Sequence, residues 1–554
     1  MNKKIWNYIR LCDLQASYLL YVFALIILSI TELLSVGIIF PILATLMKEE
    51  VDISSYDFEF IHWLISLNQE TILISAIILY ILRAFFSIIC SWYQAKFAQE
   101  AIVRLSEKVF NNYLNSSVDY IEAQKTSDII RKVTGTISQV VNSYIIQMTV
   151  VLFELITLSL LVLLVFSLIG TELFIGIVFI LFFLALLTKA ISKVLQRLGS
   201  NKRLAEGSRI EYVHELTGMF REITYLNIAS FLKNDFNLAS KKSGNASVIQ
   251  MTLSVIPRNI LELTIFCGCL GFLLILSAKD GDLIKYIPTT GTIMFALLRL
   301  APSINKINQG WQNYHFSTSF INELDIELDD SRFVNLEKNK NSNAKINFSS
   351  LTVSNLKVQR SENILGPWSL DLNKGEWLSI EGTTGVGKST LMDAIMGFAL
   401  IKSGDILLNN KSILSQHNSF YNIVGFVPQS VHLLNRSLKE NIVLYSNDIS
   451  DEEYRKVLSI CCLGDLDFRI DLKGQTTLDN SGISGGQRQR VGIARALITN
   501  PKILFLDEST AGLDAKIQEE VLLNIRQEYP SLSVLMITHS EHASGFCDRK
   551  ITLK

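Results

Sequence analysis

The sequence predicts two domains of different class, an N-terminal all-α membrane domain of six helices and a C-terminal α/β domain of the P-loop class. Hydrophobic residues make up 49 % of the 554 residues, and almost all long apolar runs lie before about Leu324. The rest has the mixed composition of a soluble α/β protein. It holds a G-x-x-x-x-G-K-S motif between a β-like run and a helix-favouring run. The chain is also too long for one compact domain.

Three segments follow from this division. We expect the membrane domain over residues 1–325, a linker over residues 326–345 and the P-loop domain over residues 346–554. The linker is polar and of low complexity, which is typical of a connection between domains.

The charge balance and the cysteines exclude several other classes. The 51 Lys and Arg residues against 52 Asp and Glu residues give no indication of a nucleic-acid partner. The seven cysteines show no metal-ligand spacing, and Cys267 and Cys269 lie in an apolar run without histidine, so we interpret them as reduced. Residues 1–14 carry no cleavage signal, so we expect no signal peptide to be removed.

Six apolar stretches predict the membrane spans, because about 18 or more apolar residues are needed to cross the bilayer core. The fourth and fifth have the shortest uncharged cores. The predicted spans are Ser17–Met47, Thr71–Tyr93, Val140–Ile169, Leu173–Leu187, Ile249–Ser277 and Leu283–Ala301.

The distribution of Lys and Arg predicts the orientation in the membrane. The segment 189–242 carries ten of them and is expected on the cytoplasmic side, whereas the acidic segment 48–70 is expected outside. Both termini then lie in the cytoplasm. The cytoplasmic connections 94–136 and 189–248 are long and helix-compatible, so at about 1.5 Å per residue they extend some tens of ångströms beyond the bilayer.

The G-x-x-x-x-G-K-S motif predicts a phosphate-binding loop. Its glycines let backbone N–H groups close around phosphate oxygens at a helix N-terminus, where the helix dipole favours anions. Lys388 is expected to contact the β- and γ-phosphates, and Ser389 to bind Mg²⁺. The expected ATP-binding residues of the loop are Gly382, Thr383, Thr384, Gly385, Val386, Gly387, Lys388, Ser389 and Thr390.

Two carboxylates follow the apolar run Ile503–Leu506. Asp507 is expected to hold the metal ion, and Glu508 to orient and deprotonate the attacking water. Together with the phosphate loop, this pair predicts a nucleotide hydrolase.

A third element narrows the prediction. The run Ile483-Ser484-Gly485-Gly486-Gln487 resembles the signature of ABC transporters, with Ile in place of the usual Leu. The resemblance covers the whole chain and implies a six-helix ABC exporter domain followed by an ABC ATPase. It also implies that Ser484, Gly485, Gly486 and Gln487 face ATP bound by a second subunit, so we expect a dimer, most simply a homodimer.

The resemblance assigns the smaller motifs as well. Gln429 in Val427-Pro428-Gln429 matches the Q-loop, which implies a catalytic and metal-binding role. Asp514 matches the D-loop, and His539 matches the switch histidine that assists hydrolysis.

The sequence departs from the family pattern in two places. Arg360 stands where an aromatic residue usually stacks on adenine, with Trp368 as an alternative candidate, and an Arg guanidinium can also stack on aromatic faces. The segment Thr476–Gly482 is a few residues short. The family layout also implies docking turns near Thr126–Val133 and Gly218–Tyr225.

Ionisable residues inside predicted spans are costly and suggest function. The candidates for substrate binding are Glu32, Arg83, Arg258 and Arg299, with Glu154 and Glu262 as further intramembrane acids. Structural explanations stay open: Glu32 and Arg83 lie at similar depth, Arg258 and Glu262 are spaced i, i+4, and arginines near the interface can extend toward water.

The pattern of these residues resembles the lipid-linked oligosaccharide flippases of bacterial protein N-glycosylation. It includes Ile30-Thr31-Glu32, Tyr80–Ala84, Pro257-Arg258 and Leu298–Ser303. The resemblance implies a bacterial inner-membrane flippase of a polyprenyl-pyrophosphate-linked glycan, whose phosphates suit arginine. An exporter of a peptide or a hydrophobic drug is the alternative. A less favoured one is an ATP-gated channel or regulator.

Overall fold

The computed structural model describes most of the chain. The described residues are 2–38, 42, 69–168, 171–280, 287–329, 347–360, 363–413, 420–434, 436–444, 449–464 and 483–553, and in some helical stretches only the backbone is described. The chain divides into two compact units, residues 1–116 with 122–333, and residues 334–554 with 117–121. The predicted linker falls almost entirely outside the described residues.

The first unit is helical, as its long apolar runs predict. Its α-helices are numbered here in chain order: α1 Asn2–Leu11, α2 Gln15–Gly37, α3 Gln69–Leu114, α4 Val118–Glu122, α5 Thr126–Arg131, α6 Ile137–Val140, α7 Gln147–Leu168, α8 Thr171–Gly218, α9 Phe220–Tyr225, α10 Ala229–Asp280 and α11 Ile287–Glu327. Each of the six predicted spans overlaps one of these helices.

Among the residues with described side chains, three helical stretches are long and apolar enough to cross a membrane. They are Gln15–Ser35, Glu70–Leu114 and Thr126–Leu160. The predicted fourth and sixth spans fall largely on residues of which only the backbone is described.

The cytoplasmic connections differ in part from the prediction. Helix α3 ends at Leu114 and α5 begins at Thr126, so the chain turns over residues 115–125 and not over Thr126–Val133. The helical hydrogen bonding from Thr126 onward leaves no turn there. The second predicted turn coincides with the short helix α9. Whether either turn docks on the ATPase stays a prediction.

Two π-helical segments interrupt the helical run after α5. They are Lys132–Thr136 and Val141–Ile146. Each π-turn adds a residue to the turn and rotates the following side chains around the helix axis, and such bulges are frequent at functional sites.

A buried ionic cluster joins this run to α11. Arg131 donates two hydrogen bonds to Glu323, of 2.6 and 2.7 Å, and Thr136 donates a third, of 2.9 Å. Arg203 of α8 donates to the same carboxylate at 3.1 Å. Removing one partner of such a cluster leaves a buried charge uncompensated, which costs about 3–5 kcal/mol.

The second unit contains two sheets. An antiparallel sheet of order β2-β1-β4-β5 consists of β1 Ser350–Arg360, β2 Asn363–Asn373, β4 Leu400–Leu408 and β5 Lys411–Ser412. A parallel sheet of order β6-β7-β8-β3-β9 consists of β3 Trp377–Glu381, β6 Val424–Val427, β7 Ile503–Asp507, β8 Ser533–Ile537 and β9 Arg549–Thr552.

Helices cover the parallel sheet, as a sheet with apolar residues on both faces requires. They are α12 Lys388–Ile395, α13 Leu438–Val443, α14 Asp451–Ile460, α15 Gly485–Leu497, α16 Ala515–Glu528 and α17 Glu541–Ser544. All five residues of β7 and all five of β8 are buried. At about 1.5–3 kcal/mol for each large apolar side chain, these two strands supply much of the core. Their carboxyl ends carry the candidate site.

Candidate nucleotide-binding and hydrolysis site

The predicted phosphate loop connects β3 to α12. Gly385 and Gly387 have φ angles of 90° and 97°, a left-handed backbone that side chains rarely adopt. The loop therefore turns tightly and places the N-terminus of α12 at its centre. The Lys388 Nζ donates to the carbonyl oxygens of Gly382 at 2.9 Å and Thr383 at 3.2 Å, so the ammonium lies over the loop.

Trp368 packs directly behind this loop. A Cβ atom at Gly387 would lie 2.7 Å from the indole Cζ2 of Trp368, so only glycine allows the ring this approach. The Trp368 side chain is 5 % exposed. It therefore belongs to the core beneath the loop and does not present a face to an adenine ring, which rules out the alternative stacking candidate.

Ser389 and Asp507 meet at the centre of the site. The Ser389 Oγ donates to the Asp507 Oδ1 at 3.1 Å, joining the first turn of α12 to the end of β7. Burial raises the pKa of Asp507 above its usual value, the Ser389 hydrogen bond opposes this, and the neighbouring Glu508 charge adds to the rise. A cation beside Asp507 would offset the cost of this buried charge.

The donor set fits Mg²⁺. A hydroxyl, a carboxylate and an amide oxygen are hard oxygen ligands of the kind this ion prefers. Ser389 and Asp507 already lie within hydrogen-bonding distance, and Gln429, two residues after the end of β6, donates through its Nε2 to the adjacent Glu508. These three residues would hold the ion, which would neutralise charge on the nucleotide phosphates.

Glu508 lies between two predicted partners. Its Oε2 accepts a hydrogen bond from Gln429 Nε2 at 2.9 Å, and its Oε1 lies 3.2 Å from His539 Nε2. Its φ angle of 45° is uncommon for a residue with a side chain and costs of order 1–3 kcal/mol. The structure therefore brings all three predicted catalytic residues together.

The predicted signature opens helix α15. Ser484 is its N-cap, with its Oγ accepting from Gln487 N at 3.2 Å while Gln487 Oε1 accepts from Ser484 N at 2.8 Å. This capping box occupies the Gln487 side chain and leaves the backbone N–H groups at Gly485 and Gly486 at the helix start. Such a terminus favours an anion.

Asp514 has a local role in the structure. It is the N-cap of α16, and its Oδ1 accepts from Lys516 N at 3.1 Å. Sequence reasoning missed the contact that ties this segment to the signature helix, in which Gly512 N donates to Gln489 Oε1 at 3.0 Å. The signal available in the sequence was Gln489, a long polar residue two positions after the signature run.

Arg360 pairs within its own domain. Its Nη1 lies 3.1 Å from Asp393 Oδ2 and 3.4 Å from Thr390 Oγ1, both on α12. The guanidinium therefore sits beside the phosphate-loop helix. Asp393 was not predicted from the sequence, although its position three residues after Thr390 places both on one helix face.

The intramembrane charges are paired where their side chains are described. Arg83 Nη2 lies 3.2 Å from Glu32 Oε1, Arg258 Nε lies 2.8 Å from Glu262 Oε1, and Lys306 Nζ lies 2.5 Å from Glu154 Oε1. The distances between these charged groups are therefore those of ion pairs, as the structural explanation of these residues expects. The side chain of the fourth substrate candidate, Arg299, lies outside the described residues.

Family models match both halves of the chain. The model of the ABC transporter transmembrane region covers residues 18–279, and the ABC transporter model covers residues 365–511. The chain is an ABC exporter half-transporter. It carries a membrane domain fused to an ATP-binding domain, and this exporter couples ATP hydrolysis to transport across a membrane.

A solved structure shares the whole fold. The exporter is similar to a structure described as a bacterial Atm1-family ABC exporter with ATP bound, with a TM-score of 0.79 and 18 % identity. The match covers 98 % of this chain and 94 % of the other. At this identity the likeness shows the fold alone.

Sequence relatives carry names that indicate several functions. The exporter is 26 % identical to a putative export ATP-binding/permease protein of Rickettsia bellii, over 83 % of this chain and 81 % of the relative. It is 27 % identical to the multidrug resistance-like ATP-binding protein MdlA of Buchnera aphidicola, over 97 % and 91 %. It is also 27 % identical to the alpha-hemolysin translocation ATP-binding protein HlyB of Escherichia coli, over 82 % and 64 %.

Proposed function

We propose that this exporter moves an amphipathic, anionic substrate from the cytoplasmic to the outer side of the membrane, and that this substrate is a polyprenyl-pyrophosphate-linked oligosaccharide. The observation that carries the proposal is the Arg258–Glu262 pair. It lies in the predicted fifth span, yet its side chains are 62 % and 48 % exposed.

An exposed ion pair within an apolar span is stable in only a few environments. Hydrocarbon disfavours it strongly, so it faces either a water-filled path or another polar protein surface. The Arg258 guanidinium keeps donors beyond the one that contacts Glu262, and a guanidinium binds phosphate oxygens bidentately. A pyrophosphate head group entering the path would therefore find a cation within the membrane.

Hydrolysis requires two copies of the chain. In the family that this chain resembles, the signature of one copy contacts the ATP that the other copy binds, and here that signature includes Ser484. We propose a homodimer in the bacterial inner membrane, with both ATPase domains in the cytoplasm. Lys388 and Ser389 of one copy and Ser484 and Gly486 of its partner would then enclose each ATP.

The residues at Glu508 would perform the chemistry. Gln429 and His539 hold its carboxylate from two sides, so it is oriented before water arrives. Glu508 would accept a proton from the attacking water, and His539 would stabilise charge on the transferred phosphoryl group. Release of phosphate would let the two ATPase domains separate and reset the membrane domain.

The test is ATPase activity of the purified exporter in liposomes, titrated with a lipid-linked oligosaccharide and then with a panel of peptides. We expect the glycolipid to stimulate hydrolysis in the wild type. Two variants should lose this stimulation, Arg258→Gln and the double variant Arg258→Gln with Glu262→Gln. Arg197→Gln, which removes an exposed arginine from α8, is the matched control and should keep it.

The double variant separates the two interpretations of the pair. It removes both charges without leaving a carboxylate unpaired, so a purely structural pair tolerates it better than the single change. Full glycolipid stimulation in the double variant would overturn the proposed role of Arg258.

A second candidate is export of a polypeptide or a hydrophobic compound. The observation in its favour is the names of the relatives, which include an alpha-hemolysin translocation protein and a multidrug resistance-like protein. Stimulation by a peptide or a hydrophobic drug, with none by the glycolipid, would assign the exporter to this class.

A further inference from the structure

Helix α15 carries the signature at its N-terminus and contacts the Q-loop segment near its other end. Gly492 lies against two valines, one that opens the Q-loop and one that follows it, since a Cβ atom there would lie 3.2 Å from Val427 Cγ1 and 2.5 Å from Val431 Cγ2. Only a glycine allows this approach of helix to loop. The Q-loop is therefore packed directly on the signature helix.

Arg495, one turn further along α15, binds the chain just after the Q-loop. Its Nη1 donates to the carbonyl oxygen of His432 at 2.6 Å, and its Nε donates to the carbonyl oxygen of Asn441 at 2.6 Å. Its Nη2 donates to the Asn441 Oδ1 at 2.5 Å. All three acceptors are uncharged, so burial lowers the pKa of Arg495 without a carboxylate to oppose it.

Asn441 is fully buried and completes the connection. Its Nδ2 donates to the carbonyl oxygens of Leu434, Arg436 and Ser437, at 2.9, 3.1 and 3.0 Å. Its Oδ1 accepts from Leu434 N at 2.8 Å. One asparagine thus fixes the backbone that follows the Q-loop, and the same asparagine is held by Arg495.

We propose that Asn441 and Arg495 are positioning residues for ATP hydrolysis. They join the Q-loop segment and the signature helix into one body, so that a displacement of Gln429 toward bound Mg–ATP moves Ser484 as well. The uncharged acceptors of Arg495 suit this positioning role, because its hydrogen bonds persist whatever charge the nucleotide site carries. This inference rests on the roles proposed above for Gln429 and Ser484.

The inference predicts a separation between binding and turnover. The contacts of Arg495 lie away from the phosphate loop, so their loss should leave ATP binding to Lys388 and Ser389 nearly unchanged. Closure of two copies around ATP should suffer, because Ser484 would no longer follow Gln429. The rate of hydrolysis and its cooperativity in ATP therefore report the connection.

The experiment compares Arg495→Lys and Asn441→Asp with the wild-type exporter in nanodiscs. Lysine keeps the positive charge of Arg495 but cannot reproduce the geometry of the three guanidinium hydrogen bonds. Aspartate keeps the shape of Asn441 and its contact with Arg495 but loses the donations to the loop carbonyls. Measured quantities are ATP affinity, kcat, KM, the Hill coefficient for ATP and Tm.

The matched control is Arg526→Lys. Arg526 also bonds a backbone carbonyl, that of Phe546, and Asp548, but it lies on α16. We expect kcat to fall at least fivefold in Arg495→Lys and Asn441→Asp, with ATP affinity within twofold and the Hill coefficient near 1. Arg526→Lys should keep kcat within twofold, with a similar change in Tm.

Three results would overturn the inference. These are an unchanged kcat in both variants, a loss of ATP affinity in proportion to kcat, or an equal loss of kcat in Arg526→Lys. Gln429→Ala tests the underlying site separately. If that variant keeps its kcat, the proposed site is wrong. If it loses kcat while Arg495→Lys does not, only the positioning role fails.

If Arg495→Lys does not fold, the kcat and the ATP affinity of Asn441→Asp alone decide whether the positioning role holds.

Discussion

The His539 Nε2 lies 3.2 Å from the Glu508 Oε1, so the end of β8 and the end of β7 meet through their side chains. Gln429 holds the other oxygen of the same carboxylate. Glu508 is therefore oriented by groups from two neighbouring strands. This arrangement suits a general base that must be in place before its water binds.

Replacing Glu508 with Gln should abolish turnover and preserve ATP binding. The amide keeps the shape of the side chain but cannot accept a proton, so we expect hydrolysis to fall by about 100-fold or more. Phosphate release and ATP binding by the purified exporter measure the two effects. Glu528→Gln, at an exposed pair with Lys456, is the control and should have normal rates. Normal hydrolysis in Glu508→Gln would exclude Glu508 as the base.

Ser389→Ala should raise the Mg²⁺ concentration needed for hydrolysis. The change removes one of the three oxygen donors and the hydrogen bond to Asp507, so we expect a shift of about tenfold or more in the half-maximal Mg²⁺ concentration. Titration of Mg²⁺ at saturating ATP measures it. Ser459→Ala, on the exposed side of α14, serves as control. An identical Mg²⁺ dependence in both variants would contradict the assignment.

Arg360→Tyr should increase ATP affinity. The arginine is engaged with Asp393 and Thr390, whereas a tyrosine would supply an aromatic face for adenine, and base stacking contributes about 1–3 kcal/mol. We expect a gain of about fivefold or more in equilibrium binding of ATP, and little change in Arg360→Leu. Should Arg360→Leu instead lose affinity strongly, the arginine itself would be the contact to the base.

Neutralising one member of the Glu32–Arg83 pair should destabilise the membrane domain more than neutralising both. Their side chains are only 15 % and 28 % exposed, so a lone charge at this position is poorly solvated. We expect Glu32→Gln and Arg83→Gln each to lower Tm in detergent, and the double variant to recover part of the loss. Additive losses would show that the two residues do not interact.

Glu376 should contribute stability that depends on pH. Burial alone would raise its pKa, but hydrogen bonds from Asn373 N and Arg549 Nε, both 2.8 Å, outweigh it and hold the pKa below the usual value of 4.5. A lowered carboxyl pKa means that the contribution is complete above the unfolded pKa and disappears as pH falls through the folded one.

The corresponding measurement is the Tm difference between wild type and Glu376→Gln from pH 7 to pH 4. We expect about 1 kcal/mol of lost stability near neutral pH, which is about 2–4 °C for a domain of this size, and a smaller difference below pH 4.5. The exposed Glu541→Gln should show no such trend. A Tm difference that grows on acidification would have the wrong sign for this pair.

Local patterns predicted which side chains the fold brings together at the candidate site, because these residues lie in short sequence motifs. The loop at Lys388, the acids that end β7, and Gln429 and His539 meet as the order of motifs indicates, since parallel strands bring their carboxyl ends to one edge. Apolar length also predicted the three long apolar helical stretches found among the residues with described side chains.

Other features depend on contacts between distant residues and could not be predicted. The pairing of Arg360 with Asp393 and the burial of Trp368 are decided by packing around the phosphate loop, which residue type does not reveal. The Asn441–Arg495 connection joins residues whose neighbours in sequence give no sign of it. The first cytoplasmic turn was predicted too late, because helix propensity at Thr126–Val133 is compatible with both helix and turn.

The indole of Trp368 touches the glycine that immediately precedes Lys388. Indole emission responds to the polarity and rigidity of its surroundings, so we expect the emission of Trp368 to change when a nucleotide occupies the loop. Of the chain's six tryptophans, the other five can be changed to phenylalanine to isolate that emission. Loading of ATP could then be followed in real time in a membrane, without attaching a dye.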